Sequence, residues 1–269
     1  MFNSMQIFIT MRCSGNCPYC IQQGIKRSSY QEVEVDKWIG FVSNQPKDSK
    51  VGLIGGEPMI YKGIDKLIEA CHDKVVFTVT TNLKAPIYKD FGKFLEWARN
   101  YRVRWNLSFH PSVVSVNYFI EAATNMRLAG LWVDQVAAVH SEEIEQYMPA
   151  LCRANIGFHV QVPTLIDDDG ILHPTKEEFD KFGAGETLIR NHALYEKYCG
   201  GKKNITGICH TGKLLIAPNG DVYRCHRDIY KAENPIGNVF GSDLVPNLVC
   251  PNVGECNPCD FNDVRFWEL

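Results

Sequence analysis

Six short β-favouring runs alternate with helix-spaced apolar residues over the first 162 positions. This alternation restricts the fold more than any other feature of the chain. The runs are Met5–Thr10, Val51–Ile54, Val75–Thr80, Val103–Phe109, Trp132–Val139 and Ile156–Val162. Val75–Thr80 reads V-V-F-T-V-T, and Val103–Phe109 alternates apolar with polar, as a half-buried strand does. Between the runs, apolar residues recur at helical spacing. One set is Ile60, Ile64, Leu67, Ile68 and Cys71; a second is Phe91, Phe94, Leu95 and Ala98. A third is Phe119, Ala122, Ala123 and Met126, and Glu142 to Arg153 makes a fourth. Strands separated by helices form right-handed crossovers and a parallel sheet. Six units are fewer than the eight of a closed barrel. The expected fold class is therefore α/β, a partial (β/α)6 parallel barrel.

The pattern changes after the sixth run. A loop from Pro163 to Pro174 contains Asp167-Asp168-Asp169-Gly170. A helix is expected over Thr175 to Tyr198, broken near Gly183-Ala184-Gly185 and ended by Gly200-Gly201. Leu214–Ala217, the turn Pro218-Asn219-Gly220-Asp221 and Val222–Arg224 read as a hairpin. Two units follow: residues 1–200 as the barrel, and residues 201–269 as a small cysteine-rich β-hairpin domain.

Composition narrows the class. The chain has 269 residues, and 28 Lys plus Arg against 31 Asp plus Glu leave a net charge of −3. That balance argues against a basic nucleic-acid coat. No apolar run reaches the 18 or so residues of a membrane span. Met1–Thr10 lacks the basic-then-apolar order of a signal peptide. The expected compartment is the cytoplasm. Eleven cysteines in a cytosolic chain point to metal ligation rather than disulfides, the more so because the number is odd. They are clustered: Cys13, Cys17 and Cys20 stand together, six fall from Cys199 onward, and Cys71 and Cys152 lie between.

Cys13-Ser14-Gly15-Asn16-Cys17-Pro18-Tyr19-Cys20 directly follows the first run. Three thiolates on one short loop can hold three corners of a four-iron cluster and leave the fourth iron open. An open position marks a catalytic metal site. A zinc ion completed by a fourth ligand from elsewhere is the other reading of this spacing. The second run ends in Gly55-Gly56-Glu57-Pro58. Two glycines allow close approach to the backbone, their amides can bind a carboxylate or amine, and Glu57 adds a negative charge. Pro58 at a helix start makes an ordinary turn the alternative.

Taken together, the C-x3-C-x2-C loop with Tyr19 before its last cysteine and the Gly-Gly-Glu-Pro turn resemble the radical S-adenosylmethionine (SAM) enzymes, over about residues 5–162. The resemblance implies a [4Fe-4S] cluster on Cys13, Cys17 and Cys20, with SAM bound at the open iron. It implies backbone contact from Tyr19 to the adenine, and Gly55, Gly56 and Glu57 around the methionyl amine. Thr80, Thr81 and Asn82, together with Ser108, match the polar contacts to ribose or carboxylate. The implied chemistry is reductive cleavage of SAM to a 5′-deoxyadenosyl radical that abstracts a substrate hydrogen.

A second constellation is Cys209-x10-Gly220-x4-Cys225, then Cys250-x5-Cys256-x2-Cys259. The hairpin is expected to bring Cys209 and Cys225 together, and Cys256 and Cys259 form a compact pair. Four thiolates make a closed site for zinc or a four-iron cluster. The pattern resembles the twitch domain, the shortened form of the SPASM domain, which in radical SAM enzymes carries an auxiliary [4Fe-4S] cluster. The expected ligands are Cys209, Cys225, Cys256 and Cys259, with Cys250 as an alternative to one of them.

Other residues carry weaker signals. His110 follows Ser108 at the end of the fourth run and faces the expected active mouth, where it can bind or protonate substrate. These two are the candidate catalytic residues. His159 and Gln161 alternate on the sixth run and can point inward. Arg224 and His226 flank Cys225, and His210 adjoins Cys209. Cys71 and Cys152 are expected in the core, Cys199 as a loop thiol without a role, and Asp167–Asp169 in a solvated loop.

The layout resembles the small twitch dehydrogenases. It implies hydrogen abstraction followed by a two-electron oxidation, with the auxiliary cluster accepting the second electron. Alternatives are carbon–carbon, carbon–sulfur or epimerisation chemistry on a peptide, and a non-catalytic zinc or iron–sulfur protein. The short stretch before the first run argues mildly against a maturase of leader-bearing peptides. The implied partners are a small-molecule or peptide substrate and an electron donor such as flavodoxin or ferredoxin.

Overall fold

The computed structural model of the chain describes residues 4–20, 22, 30–84, 90–139, 144–166, 172–178, 186–199, 207–211, 213–241, 244, 249–260 and 264–268. Six strands run in parallel in sequence order: β1 (Ser4–Thr10), β2 (Lys50–Gly55), β3 (Val76–Thr81), β4 (Val103–Phe109), β5 (Trp132–Val139) and β6 (His159–Gln161). Helices connect them: α1 (Val35–Ser43), α2 (Ile64–Cys71), α3 (Phe91–Ala98), α4 (Val116–Leu128) and α5 (Ile144–Ala154). This is the expected α/β arrangement of a partial parallel barrel.

The strand pattern places the core. In β4, Val103, Trp105, Leu107 and Phe109 are buried while Arg104, Asn106 and Ser108 between them are only half-buried. The buried set joins Ile7, Leu53, Phe77 and Val79 and the helix residues Trp38, Leu67, Phe94 and Phe119 in one apolar cluster. The alternate set is polar, so the side of the sheet away from the helices is left for a ligand.

Two boundaries differ from the sequence expectation, and one helix is an addition. Helix α2 begins at Ile64, not Ile60, because Gly63 takes a left-handed φ of +96° and Pro58–Ile60 form a separate 3-10 turn. Strand β6 begins at His159, because Asn155 and Gly157 adopt φ values of 51° and 56° and make a turn after α5. Helix α1 is an addition: its buried Trp38 and Val42 with Val35 keep helical spacing, but polar residues separate them.

The region after residue 200 does not stand apart from this sheet. Strand β10 (Leu214–Ile216) pairs in parallel with β1, and β11 (Val222–Tyr223) pairs antiparallel with β10. The sheet therefore has eight strands in the order β11-β10-β1-β2-β3-β4-β5-β6, drawing on both sides of the boundary placed near residue 200. The expected hairpin turn is present, with Gly220 at φ +88° and Ala217 N–H bonded to Asp221 C=O at 2.8 Å.

Short strands Leu165–Ile166 (β7) and Leu172–His173 (β8) pair with each other. The Asp167–Gly170 segment lies outside the described residues, as does the Gly183–Gly185 break. The helix expected over 175–198 is a 3-10 turn at Lys176–Glu178 and then α6 (Glu186–Tyr198). Strand β9 (Gly207–Thr211) lies between β12 (Val249–Cys250) and β13 (Val264–Glu268) in a second small sheet. Helix α7 (His226–Lys231) follows β11. Among the described residues, no helix is long and apolar enough to cross a membrane.

Candidate functional site

A cavity of about 300 Å³ opens at the C-terminal ends of the parallel strands. Its wall holds Cys13, Cys17, Tyr19 and Cys20 of the loop after β1, and Gly55, Gly56 and Glu57 after β2. It also holds Thr80, Thr81 and Asn82 at the end of β3, and Ser108 and His110 at the end of β4. Parallel strands place their C-terminal loops on one side, which is why residues so far apart in sequence meet here. A larger open hollow of about 660 Å³ shares only Cys13 with this wall. Its Arg12 is paired with Glu32 at 2.8 Å, on the surface.

The cysteine loop is shaped by its own small residues. Cys20 N–H bonds to Cys17 C=O at 3.1 Å, which closes the turn between them. Gly15 N–H points at Cys13 Sγ, 3.4 Å away. Any Cβ at Gly15 would stand 2.6 Å from a Val113 methyl group, so glycine lets the loop seat against the turn after β4. Burial pushes the Cys13 thiol up, the Gly15 amide opposes this, and the charges of Glu57, Cys17 and Cys20 add to the rise. A bound metal reverses such a preference, because a coordinating thiol is deprotonated outright.

The Gly55–Glu57 turn works differently from the expectation. Gly56 N–H bonds to Thr10 C=O at 2.9 Å, and Glu57 N–H bonds to Arg12 C=O at 2.8 Å. Those amides hold the end of β1 to the end of β2 and are not turned to a ligand. The glycines serve the same closure. A Cβ on Gly55, at φ +133°, would lie 2.1 Å from Thr10 O, and one on Gly56 would lie 2.1 Å from Arg12 O. Glu57 is only 1% exposed. Its Oε1 accepts from Met59 N–H at 3.1 Å and its Oε2 from Asn82 N–H at 2.8 Å. It clamps the ends of β2 and β3 together. Burial, opposed by these hydrogen bonds and one from Thr81, pushes its carboxyl up to about 7.

His110 is turned toward the cysteine loop. Its Nδ1 lies 3.8 Å from Cys17 Sγ and 3.3 Å from the Tyr19 hydroxyl, and its ring stacks on Tyr19 at 5.9 Å. Burial pushes the imidazole down to about 4, so it is neutral at pH 7 and carries no imidazolium proton for a substrate. Two residues were missed in the sequence: Gln22 donates to Gly55 C=O at 2.8 Å, and Ser112 donates to Cys17 Sγ at 3.5 Å. Cys259, expected as an auxiliary ligand, lies on this cavity's wall as well. Gln22 and Ser112 each stand two residues beyond a feature already singled out, Cys20 and His110. Both His159 and Gln161 are exposed on β6, and Gln161 lines the cavity.

The C-terminal cysteines are distributed over several elements. Cys225 caps the start of α7, and Cys250 ends β12 opposite Gly207. Burial pushes the Cys225 thiol up, and the charges of Asp228, Asp260 and Cys250 add to this. Cys259 is pushed up to about 12 by burial and by Asp260. Cys199 is buried, and its Sγ lies 3.8 Å from Cys256 C=O. Cys209 lies on β9, not on the hairpin, and its side chain and that of His210 lie outside the described residues. Arg224 donates to Val249 C=O at 2.6 Å and so ties β11 to β12. Cys71 is buried as expected, but Cys152 is exposed on α5.

Among the described residues, no three His, Cys, Asp or Glu side chains gather tightly enough for a single metal ion. Thiolates on one zinc, at about 2.3 Å each, would stand close together. A four-iron cluster spreads its ligands over separate irons; Cys13, Cys17 and Cys20 line one cavity wall. The cavity volume is at the lower end of the ~300–1,000 Å³ of small-molecule sites.

The fold has counterparts of known structure. SuiB of Streptococcus suis bound to precursor peptide SuiA matches with a TM-score of 0.60 and 18% identity, covering 91% of this chain and 64% of that one. SuiB bound to S-adenosylmethionine matches at 0.57 and 16%, covering 92% and 67%. The native anSMEcpe structure with bound AdoMet and Cp18Cys peptide matches at 0.57 and 14%, covering 89% and 78%. The fold is the one that SuiB and anSMEcpe share. The chain spans under two thirds of SuiB as matched in the peptide complex. No family profile matches the sequence, and no curated protein sequence does. At these identities the likeness is one of architecture.

Proposed function

We propose that the chain is a radical SAM oxidoreductase with its reacting centre in the cavity walled by Cys13, Cys17 and Cys20. The observation that carries this reading is the meeting of that cysteine loop with the ends of β2, β3 and β4 in one cavity of a radical SAM fold. A [4Fe-4S] cluster on the three cysteines, with SAM at its open iron, supplies a 5′-deoxyadenosyl radical for hydrogen abstraction.

The chain's own residues hold and shield that chemistry. Thr80 and Ser108 offer hydroxyls to the ligand from neighbouring strand ends. Tyr19 presents its backbone on the same wall. Glu57, Thr81 and Asn82 keep the strand ends in register, and Asn82 Nδ2 reaches toward Cys13 Sγ at 4.0 Å. Val139 and Val162 make part of the wall apolar, which excludes water from a reactive carbon.

In the same proposal the C-terminal thiols would hold an auxiliary [4Fe-4S] cluster, which would supply a one-electron acceptor for a two-electron oxidation. Cys225, Cys256 and Cys259 belong to it, with Cys209 or Cys250 as the fourth ligand. The charge of Cys250 acts on the Cys225 thiol, which keeps Cys250 a candidate beside Cys209. Cys259 on the cavity wall supports electron passage between the two sites. An electron donor of the flavodoxin or ferredoxin class and a cytoplasmic setting complete the reading.

The peptide reading has its own support. SuiB and anSMEcpe were each solved with a peptide bound. Here β6 lies at the end of the sheet beside the cavity with its residues exposed, and an extended chain can lie along such an edge.

The test is iron and sulfide per chain after anaerobic reconstitution, with 5′-deoxyadenosine release under a strong reductant. About eight irons and SAM cleavage are expected for two four-iron clusters. About four irons with SAM cleavage would remove the auxiliary cluster from the reading. Zinc without iron would overturn it entirely.

A further inference from the structure

The mouth of β4 carries a pair of side chains whose position relative to the cysteine loop has a use of its own. After Phe109 the chain turns at once: Val113 N–H bonds to His110 C=O at 2.9 Å, and Val114 N–H to the same oxygen at 3.2 Å. This turn brings Ser112 back beside His110. Both then face one sulfur, with Ser112 Oγ 3.5 Å and His110 Nδ1 3.8 Å from Cys17 Sγ. The arrangement is held from both sides. Val113 packs on Gly15, where no Cβ would fit, and the His110 ring is stacked on Tyr19. Cys17 is 8% exposed, so water has little access to its sulfur.

We propose that His110 and Ser112 are positioning residues that donate hydrogen bonds to the Cys17 thiolate and thereby raise the reduction potential of the cluster it holds. The proposal rests on the radical SAM reading above. A ligand sulfur gains negative charge when its cluster is reduced. Donors aimed at that sulfur stabilise the reduced form more than the oxidised one. A thiolate accepts charge-assisted bonds, which are the stronger kind. It also selects the histidine tautomer with the proton on Nδ1, leaving the Tyr19 oxygen as a second acceptor for that proton. Ser112 has one hydroxyl proton and gives it to the sulfur. The step is a transfer of one electron from a low-potential chemical reductant to the cluster, from the 2+ to the 1+ state, with no proton moved.

The experiment is an anaerobic redox titration of the reconstituted full chain, followed by electron paramagnetic resonance. The first cluster's signal is assigned by its loss in Cys17→Ala. Four variants are compared at equal iron content with wild type: His110→Phe, His110→Asn, Ser112→Ala and Ser112→Thr. Held at the wild-type midpoint, His110→Phe is expected to show an about tenfold lower ratio of reduced to oxidised cluster. That corresponds to a midpoint about 59 mV more negative for one electron. Ser112→Ala moves the same way. His110→Asn, which keeps a donor near the Nδ1 position, and Ser112→Thr return toward wild type. If His110→Phe fails to hold iron, the Ser112 pair decides. Unchanged midpoints in the variants that hold iron overturn the inference and leave the radical SAM reading intact. A wild-type chain that takes up no iron overturns both.

Discussion

Asp260 accepts two hydrogen bonds from His226, one from the backbone N–H at 2.8 Å and one from Nδ1 at 2.7 Å. The pair is buried, at 1% and 4% exposure. Each residue directly follows a cysteine: His226 follows Cys225 and Asp260 follows Cys259. One carboxylate therefore ties together two thiol-bearing segments that are 34 residues apart in sequence. Phe8 and Tyr230 pack their rings against the imidazole at 5.9 and 5.6 Å, which joins the clip to the β1 side of the sheet.

Removing the carboxylate leaves two buried donors without a partner. Asp260→Ala is expected to cost about 3 kcal/mol of stability, read from denaturant unfolding. In the proposed enzyme it also lowers the iron bound after reconstitution by about half, since the auxiliary ligands lose their common anchor. SAM binding at the first site should persist. Unchanged iron in a destabilised variant would show that the clip serves the fold alone.

Gly56 tests the closure between β1 and β2. A methyl group there would meet Arg12 O at 2.1 Å, and backbone cannot swing aside as a side chain does. Gly56→Ala is expected to lower stability by about 3 kcal/mol and to displace the cysteine loop. Gly130→Ala is the control for a solvent-side glycine: nothing lies within 4 Å of its Cβ, and only its positive φ of +79° is strained. Its loss should be nearer 1 kcal/mol. Equal losses in the two variants would mean that the β1–β2 closure contributes nothing beyond backbone conformation.

The six parallel strands and the meeting of the first cysteine loop with the strand ends were legible in the sequence because both depend on local patterns. Val103–Phe109 alternates every second residue and forms β4 with those bounds. The Cys13–Cys20 spacing lies within one loop, so no long-range folding was needed to read it. What was not legible depends on contacts between distant segments. Nothing near Leu214 announces that β10 pairs with β1, more than 200 residues earlier. Glu57 reads as a charge offered to a ligand until its oxygens are seen to be engaged by Met59 and Asn82 amides. Cys152 has helical spacing like Cys71, yet one is exposed and the other buried, because α5 rotates Cys152 away from the core.

Cys250 and Cys152 separate ligation from general thiol content. Cys250 is half-buried on β12, and its charge acts on Cys225, whereas Cys152 is on the surface. Cys250→Ser is expected to reduce the auxiliary iron while Cys152→Ser leaves iron, stability and SAM cleavage at wild-type levels. Full iron in Cys250→Ser, with loss in Cys209→Ser, would return the fourth position to Cys209.

Glu57 gives the fold a pH dependence of known sign. Burial lifts its carboxyl from the ordinary 4.5 to about 7 in the folded chain. Between those values the folded state holds a proton that the unfolded state has lost. Stability from this group is therefore complete below about 4.5, falls as pH rises, and is gone above about 7. The size implied is about 3 kcal/mol. Glu57→Gln has no proton to lose, so its stability should stay flat across the same window. It also gives up one of the two amide bonds, because its NH2 group cannot accept from either Met59 or Asn82. Below pH 5 the variant is therefore less stable than wild type, and the two curves converge as pH approaches 8. Chemical denaturation at pH 5, 6, 7 and 8 measures both curves. A wild-type stability that rises from pH 5 to 7, with no difference in slope from Glu57→Gln, would mean that the amides of Met59 and Asn82 outweigh burial and keep Glu57 ionised.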